Sequence, residues 1–454
     1  MKLSSKTVMA LPVLIVTGML ASCDHTVTVT EITSPDGKIA LTFGVDSIGA
    51  PIYSVTFNGR EAVAPSRMGV ETLNDGNFTE GFTIKKSTGI KYFSEKWAPV
   101  WGENDSIDNT YNTITYTLAK NDGSSSKEME ITFRVYDDGI GFRYTFPASD
   151  GDSLIITDEM SQFAMPGDIT AWWIPGDYDT QEYEYTQSKL SEIRTRQQAD
   201  EKMGNVSSSA FSPTGVQTSL MLKADSTMYL NIHEAALINY PAMHLDLNDT
   251  TLIFKSHLTP SPDGTMAHVA LPYSTPWRVV MIGDKATDIL ASNLIYNLND
   301  PVALDDTSWI TPVKYMGVWW EMITGKSAWS YTDAENFDLA TFDYTTAKPH
   351  GRHAANNENV KRYIDFAAEN GFDQLLIEGW NVGWEDWFGK EKDYVFDFVT
   401  PYPDFDIKAL NEYAQSKGIK LMMHHETSGS IPNYERHIDK AYELMNQYGY
   451  NAVK

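Results

Sequence analysis

The 454-residue chain holds a single cysteine, Cys23, so no disulfide can form within it. Positive charge is scarce: 35 Lys and Arg stand against 61 Asp and Glu, a formal net charge of −26. That balance argues against nucleic acid and anionic membrane surfaces as partners. Blocks of like charge are missing too, so the acidity is spread over solvated faces. Beyond the N-terminus no apolar run is long enough to span a bilayer. The phosphate-binding loop, the dinucleotide glycine fingerprint, G-x-S-x-G and zinc-ligand spacings are all absent. So are internal repeats and low-complexity segments. What remains points to a neutral substrate and to chemistry done by carboxylates, histidines and aromatic rings. Aromatics are plentiful at 12%, with 12 Trp and 24 Tyr. That suits stacking on sugars, but a large β-domain needs them as well.

The N-terminus explains the lone cysteine. Lys2 and Lys6 precede an apolar run, Val8 to Leu20, that ends in Leu20-Ala21-Ser22-Cys23. This reads as a bacterial lipoprotein signal, residues 1–22, with lipidation at Cys23. A plain signal peptide with a chance cysteine is the alternative. Either way the protein is exported. The lipoprotein reading places it in the periplasm or at the outer membrane, lipid-anchored, with 23–33 as a polar tether.

From 34 to 283, alternating apolar and polar residues predict successive strands separated by Gly, Pro, Asn and Asp clusters. Ile131-Thr132-Phe133-Arg134-Val135 has a period of two, and Asp137-Asp138-Gly139 supplies a hairpin turn. The expected fold is a large antiparallel β-sandwich. Residues 284–310 read as a helical linker, with Ala286, Ile289, Leu290 and Leu294 on one face. From 311 to 454 the pattern changes. Lys314–Trp320, Gln374–Ile377 and Lys420–Met423 are short buried strands, and Asn451–Lys454 begins a fourth. Helical stretches lie between them (Asn359–Glu369, Asp406–Lys417 and Asn433–Gln447). Strand–helix alternation at this spacing means parallel βαβ units. Four such strands make the first half of a (β/α)8 barrel. A half-barrel leaves unpaired edges, so the chain is expected to be the N-terminal part of a longer protein.

Each of these strands ends in groups suited to chemistry. The first ends in Trp319-Trp320-Glu321. The second ends in Glu378-Gly379-Trp380-Asn381, followed by Trp384-Glu385-Asp386. The third ends in His424-His425-Glu426, and the fourth reaches Lys454. Barrel enzymes place their active groups at these C-terminal strand ends. Paired carboxyl groups with aromatic faces fit glycoside hydrolysis. Position favours Glu378 and Glu426 for function, and Glu321, Glu385 and Asp386 read as ordinary solvated or helix-starting carboxylates. Adjacent His424 and His425 point to opposite faces of a strand and cannot readily share a metal ion. His424 shares its face with Glu426. In the sandwich, the acidic, aromatic segment Trp172 to Thr186 is either a solvated connection or a loop reaching into a neighbouring pocket. The pattern does not decide between them.

Several runs resemble glycoside hydrolase family 97, and within it the inverting α-glucosidases of bacterial starch utilisation. These are Asp138–Tyr144, Trp173–Thr186, Lys314–Gly325, Glu378–Phe388, Tyr394–Pro401 and Met422–Ser428. The resemblance implies a β-super-sandwich, a (β/α)8 barrel, and an exo-acting, calcium-dependent enzyme on malto-oligosaccharides. It implies Glu426 as general base. Glu378, His424 and Lys454 would hold the sugar, with Trp319 at the same strand ends, and Glu182 from the sandwich loop would bind calcium. The general acid would come from later barrel strands. Retaining, α-galactosidase-like members carry an Asp nucleophile shortly after the lysine matching Lys454 and lack the Glu matching Glu426. A retaining α-galactosidase and a non-catalytic glycan-binding lipoprotein are the alternatives.

Overall fold

The structure is a computed structural model that describes residues 30–122, 125–148, 153–178, 180–199, 210–387 and 395–454. The signal segment, Cys23 and the tether through residue 29 lie outside the described residues, as do Asp179, Phe388 and Tyr394. The described residues divide into two units, one ending at Pro301 and one running from Val302 to Lys454.

The first unit is a β-sandwich. Its two large sheets have eight and eleven strands, paired antiparallel throughout, and a three-stranded sheet accompanies them. Residues of period two put one face of each strand inside. Strand Pro51–Phe57 alternates buried and half-buried along its whole length. The inner faces of the large sheets meet through aromatic rings. Phe43 lies 5.2 Å from Phe133, and Tyr53 lies 5.0 Å from Phe142. The expected hairpin is present: Ser125–Tyr136 and Gly139–Phe146 pair in register across Asp137-Asp138. Gly139 has φ of 152°, and a Cβ there would sit 2.4 Å from the Val280 carbonyl oxygen, so only glycine fits.

The structure corrects several expectations. A strand begins at Thr30, inside the stretch read as a tether, because Thr30–Thr33 pairs with Ile39–Val45. Lys91–Trp97 is a strand paired with Ile107–Asp122. It gave no alternating pattern because almost all of its residues are exposed. The helical part of the expected linker is two short helices, Ala286–Ala291 and Leu294–Asn297, parted by extended Ser292. Leu290, expected on its apolar face, is 88% exposed. Leu294 and Leu298 pack with Tyr111, Tyr136 and Trp277, so residues through 301 belong to the sandwich rather than to a linker.

The sandwich buries one ion cluster. Arg278 is 0% exposed and donates through Nε and Nη2 to the two oxygens of Glu159, and through Nη1 to Glu234. Ser161 and Tyr240 also donate to Glu159, and the Met243 backbone N–H donates to Glu234. Every carboxylate oxygen therefore has a donor. Removing the guanidinium leaves two buried carboxylates facing each other. Arg278→Met is expected to cost about 3–5 kcal/mol of stability, read as a lower denaturant midpoint at unchanged slope.

The second unit is built on a parallel sheet. Strands Tyr315–Val318, Gln374–Ile377 and Lys420–Met422 pair in that order. Helices Asn357–Glu369, Ile407–Ser416 and Ile431–Tyr448 alternate with the strands. Val360, Ile364 and Ala367 form the buried stripe of the first helix, spaced as a 3.6-residue repeat requires. The Asn356 side chain caps that helix by accepting from the Asn359 N–H, and Asp406 caps the next by accepting from the Ala409 N–H. The expected fourth strand adds at the free edge. Met423 bridges Val453 in parallel, Lys454 N–H donates to the Met423 carbonyl, and His425 N–H donates to the Lys454 carbonyl.

Candidate active site

Glu378 is the first residue past the second parallel strand. Its N–H still donates to the Val318 carbonyl, so the sheet itself fixes its backbone. Its side chain is buried, 5% exposed. Lys454 Nζ donates to Oε1 at 2.9 Å, and Trp329 Nε1 donates to Oε2 at 2.9 Å. His424 Nε2 lies 3.6 Å from Oε1. The ends of the second, third and fourth strands thus converge on one carboxylate. The ammonium of Lys454 also lies 5.7 Å from the ring centre of Trp319, at the end of the first strand, within cation–π range.

His424 is buried, and its imidazole pKa is pushed down to about 3, first by burial and then by the neighbouring Lys454 charge. It is neutral at any working pH. Its Nδ1 is buried and among the described residues has no hydrogen-bond partner. His424 stacks on Trp384 at 5.8 Å, which stacks in turn on Trp329 at 6.0 Å. His425 points the other way, as the strand geometry requires. Its Nδ1 pairs with the Tyr434 hydroxyl at 3.0 Å, and its ring packs against Phe398. Burial lowers its pKa to about 4, with His424 adding to the shift. The two rings therefore face opposite sides of the strand, His425 among Tyr434 and Phe398.

Glu426 is half-buried. Its carboxyl pKa is raised, mainly by loss of solvent and further by the charge of Glu378, while the Ser428 N–H, donating to Oε1 at 2.8 Å, pulls the other way. Ser428 holds φ of 49°, a left-handed turn that folds its N–H back onto Glu426.

Glu385 and Glu321 are held by their neighbours within the fold. Glu385 accepts four hydrogen bonds, from the Tyr331 and Thr332 backbone and the Tyr344 and Tyr402 hydroxyls. Glu321 accepts from Asn359 and Tyr363. Glu182 lies in the sandwich unit and is exposed, its N–H donating to the Thr180 hydroxyl at 3.1 Å. Among the described residues no three His, Cys, Asp or Glu side chains gather as a metal site. Trp329 and His353 were not singled out in the sequence. Both sit in the aperiodic stretch between the first strand and its helix, where no repeat marks a buried residue.

The arrangement brings together two strand-end carboxyl groups of different character, a buried histidine and several tryptophan rings, the kinds of group that glycoside chemistry uses. The comparisons make that class specific. The chain belongs to glycoside hydrolase family 97: the Glycosyl-hydrolase 97 N-terminal model matches residues 32–301 and the Glycoside hydrolase 97 model matches residues 319–454. Structures of a family 97 enzyme from Pseudoalteromonas sp. strain K8, in complex with panose and with acarbose, superpose with a TM-score of 0.78 at 32% identity. They cover 93% of this chain and 58% of the other. A retaining alpha-galactosidase of Bacteroides thetaiotaomicron is 26% identical over 441 residues, 89% of this chain and 57% of that protein. The chain thus spans less than two thirds of the length of these relatives.

Proposed function

We propose that the full-length protein is an exo-acting α-glucosidase on malto-oligosaccharides that works with inversion of configuration. The observation that carries this reading is Glu426, a half-buried carboxyl with a raised pKa at the end of a parallel strand. A general base needs a pKa lifted toward the working pH, and an inverting enzyme needs a carboxylate placed to activate water rather than to attack the sugar. Glu378, Lys454 and His424 would grip the sugar hydroxyls, and Trp319 would offer a ring face. The alternating strands and helices from residue 311 onward are read as the first half of a (β/α)8 barrel, whose later strands would bring the general acid. The panose and acarbose complexes of the Pseudoalteromonas relative support an α-glucoside.

A retaining α-galactosidase is the competing reading, favoured by the name of the Bacteroides relative. The deciding measurement is proton NMR of the first sugar released from an aryl α-glucoside by the full-length enzyme. The β-anomer of glucose is expected first. The α-anomer, or turnover confined to α-galactosides, would overturn the reading.

Calcium belongs to the same reading, with Glu182 as one hard oxygen ligand. The ion takes six to eight oxygens. The described residues do not gather such a set, so no catalytic step is assigned to it. In the full-length protein, calorimetric titration with calcium is expected to show one site, weakened at least tenfold in Glu182→Ala. Unchanged affinity in that variant would remove Glu182 from the ligand set. Export with a lipid anchor at Cys23 completes the reading, and metabolic labelling with a palmitate analogue that is lost in Cys23→Ser would test it.

A further inference from the structure

The side chain of Glu378 is gripped at both oxygens, but its aim also depends on the peptide that follows. Gly379 has φ of 75°, so the chain turns sharply just past the carboxylate. Its carbonyl oxygen accepts a hydrogen bond from His353 Nε2 at 2.8 Å. The other ring nitrogen, Nδ1, lies 2.9 and 3.0 Å from the two oxygens of Asp404. His353 is 5% exposed, and its ring is wedged edge-on against Tyr402 at 4.8 Å and Tyr331 at 6.1 Å.

The backbone on either side of His353 runs beside the segment that carries the other support of Glu378. Ala328 bridges His353 in parallel. The Ala328 N–H donates to the Arg352 carbonyl at 2.8 Å, and the Ala354 N–H donates to the Ala328 carbonyl at 3.0 Å. The next residue, Trp329, donates its indole N–H to Glu378. The Trp329 backbone is pressed onto the turn as well: a Cβ at Gly379 would lie 2.9 Å from its carbonyl oxygen. One buried imidazole, backed by one carboxylate, therefore fixes the Gly379 turn, and the Trp329 backbone packs on that turn. A histidine serving only to fill the core would not need two acceptors at opposite ring nitrogens, one of them on the peptide next to the site.

We propose that His353, held by Asp404, is a positioning residue for Glu378. It acts by fixing the Gly379 carbonyl and, through the turn on which the Trp329 backbone packs, the indole that grips the carboxylate. This rests on the role given to Glu378 above.

The test is a double-mutant cycle on the full-length enzyme with an aryl α-glucoside. His353→Leu removes the donor, and His353→Gln returns one N–H. His353→Leu is expected to lower kcat/KM about a hundredfold, the scale of a misplacement of about 1 Å, and His353→Gln by less than about tenfold. In a Glu378→Gln background neither should add more than about twofold, because the group being positioned is already altered. Equal losses in both backgrounds, or no loss in the wild-type background, would overturn the proposal. If His353→Leu does not fold, His353→Gln and Asp404→Asn carry the same cycle. A second readout needs no activity. With 5-fluorotryptophan labelling, the Trp329 fluorine resonance, assigned through Trp329→Phe, is expected to shift in His353→Gln and in Asp404→Asn. An unmoved resonance counts against the proposal. A wild-type enzyme that cleaves no α-glycoside would sink the activity reading instead and leave the fluorine test to decide on His353.

Discussion

Glu426→Gln in the full-length enzyme is expected to lower kcat by roughly a thousandfold, within the range of about 10²–10⁴ contributed by a positioned general base, with KM changed little. Gln keeps the shape and still accepts from the Ser428 N–H, but it cannot take a proton from water. Stability is expected to move the other way. The carboxyl pKa is raised because burial and the Glu378 charge disfavour the ionised form. At neutral pH the ionised group therefore costs stability, and a neutral amide removes that cost. A thermal midpoint that is unchanged or higher, together with a collapsed kcat, would separate chemistry from misfolding. If kcat fell by less than about tenfold, Glu426 would not be the base.

The pH profile follows from the same group. A base must be ionised, so kcat/KM should fall as pH drops through the pKa of Glu426. Because that pKa is raised, the acid limb should lie above the ordinary glutamate value of about 4.3. Burial pushes His424 and His425 the other way, down to about 3 and about 4, while it raises Glu426. In Glu426→Gln the acid limb should vanish from the residual activity, and a limb that persisted would belong to another group.

The sequence showed the strands of the second unit well, because each is a short apolar run stopped by polar residues. Gln374–Ile377 ends where it was expected, and the polar residues at its end are the ones in the site. His424 and His425 point to opposite sides because a strand alternates, which needs no coordinates. The sandwich was legible only where one face is wet and the other dry. Lys91–Trp97, wet on nearly all its residues, left no pattern, and Leu290 looked like a helix face although the helix breaks two residues later. The supports of Glu378 were hidden for another reason. Trp329 and His353 are brought in from an irregular segment by long-range hydrogen bonds, and such bonds leave no period in the sequence. Position at a strand end could mark Glu378 as important, but it could not show that an indole and an ammonium hold its two oxygens.

That grip sets the second large effect. Glu378→Gln is expected to lower kcat/KM by roughly two to three orders of magnitude, about 3–4 kcal/mol, most of it in KM. The carboxylate accepts at both oxygens, from Lys454 Nζ on one side and Trp329 Nε1 on the other. An amide has only one oxygen. Whichever way the substituted side chain turned, its NH2 would face a donor, either the ammonium or the indole. One donor would then lose its acceptor, at up to about 1–3 kcal/mol for the half-buried indole and less for the half-exposed ammonium. Lys454 would lose its counter-ion and with it a defined place for the sugar. Lys454→Met should do less harm, about tenfold, because its side chain is 50% exposed and its pairing is screened by water. The two effects should not multiply in the double variant, since both break the same contact. Steady-state kinetics and calorimetric sugar binding on the three variants would test this. A KM for Glu378→Gln within twofold of wild type would mean that the clasped carboxylate braces the strand ends and does not touch the sugar.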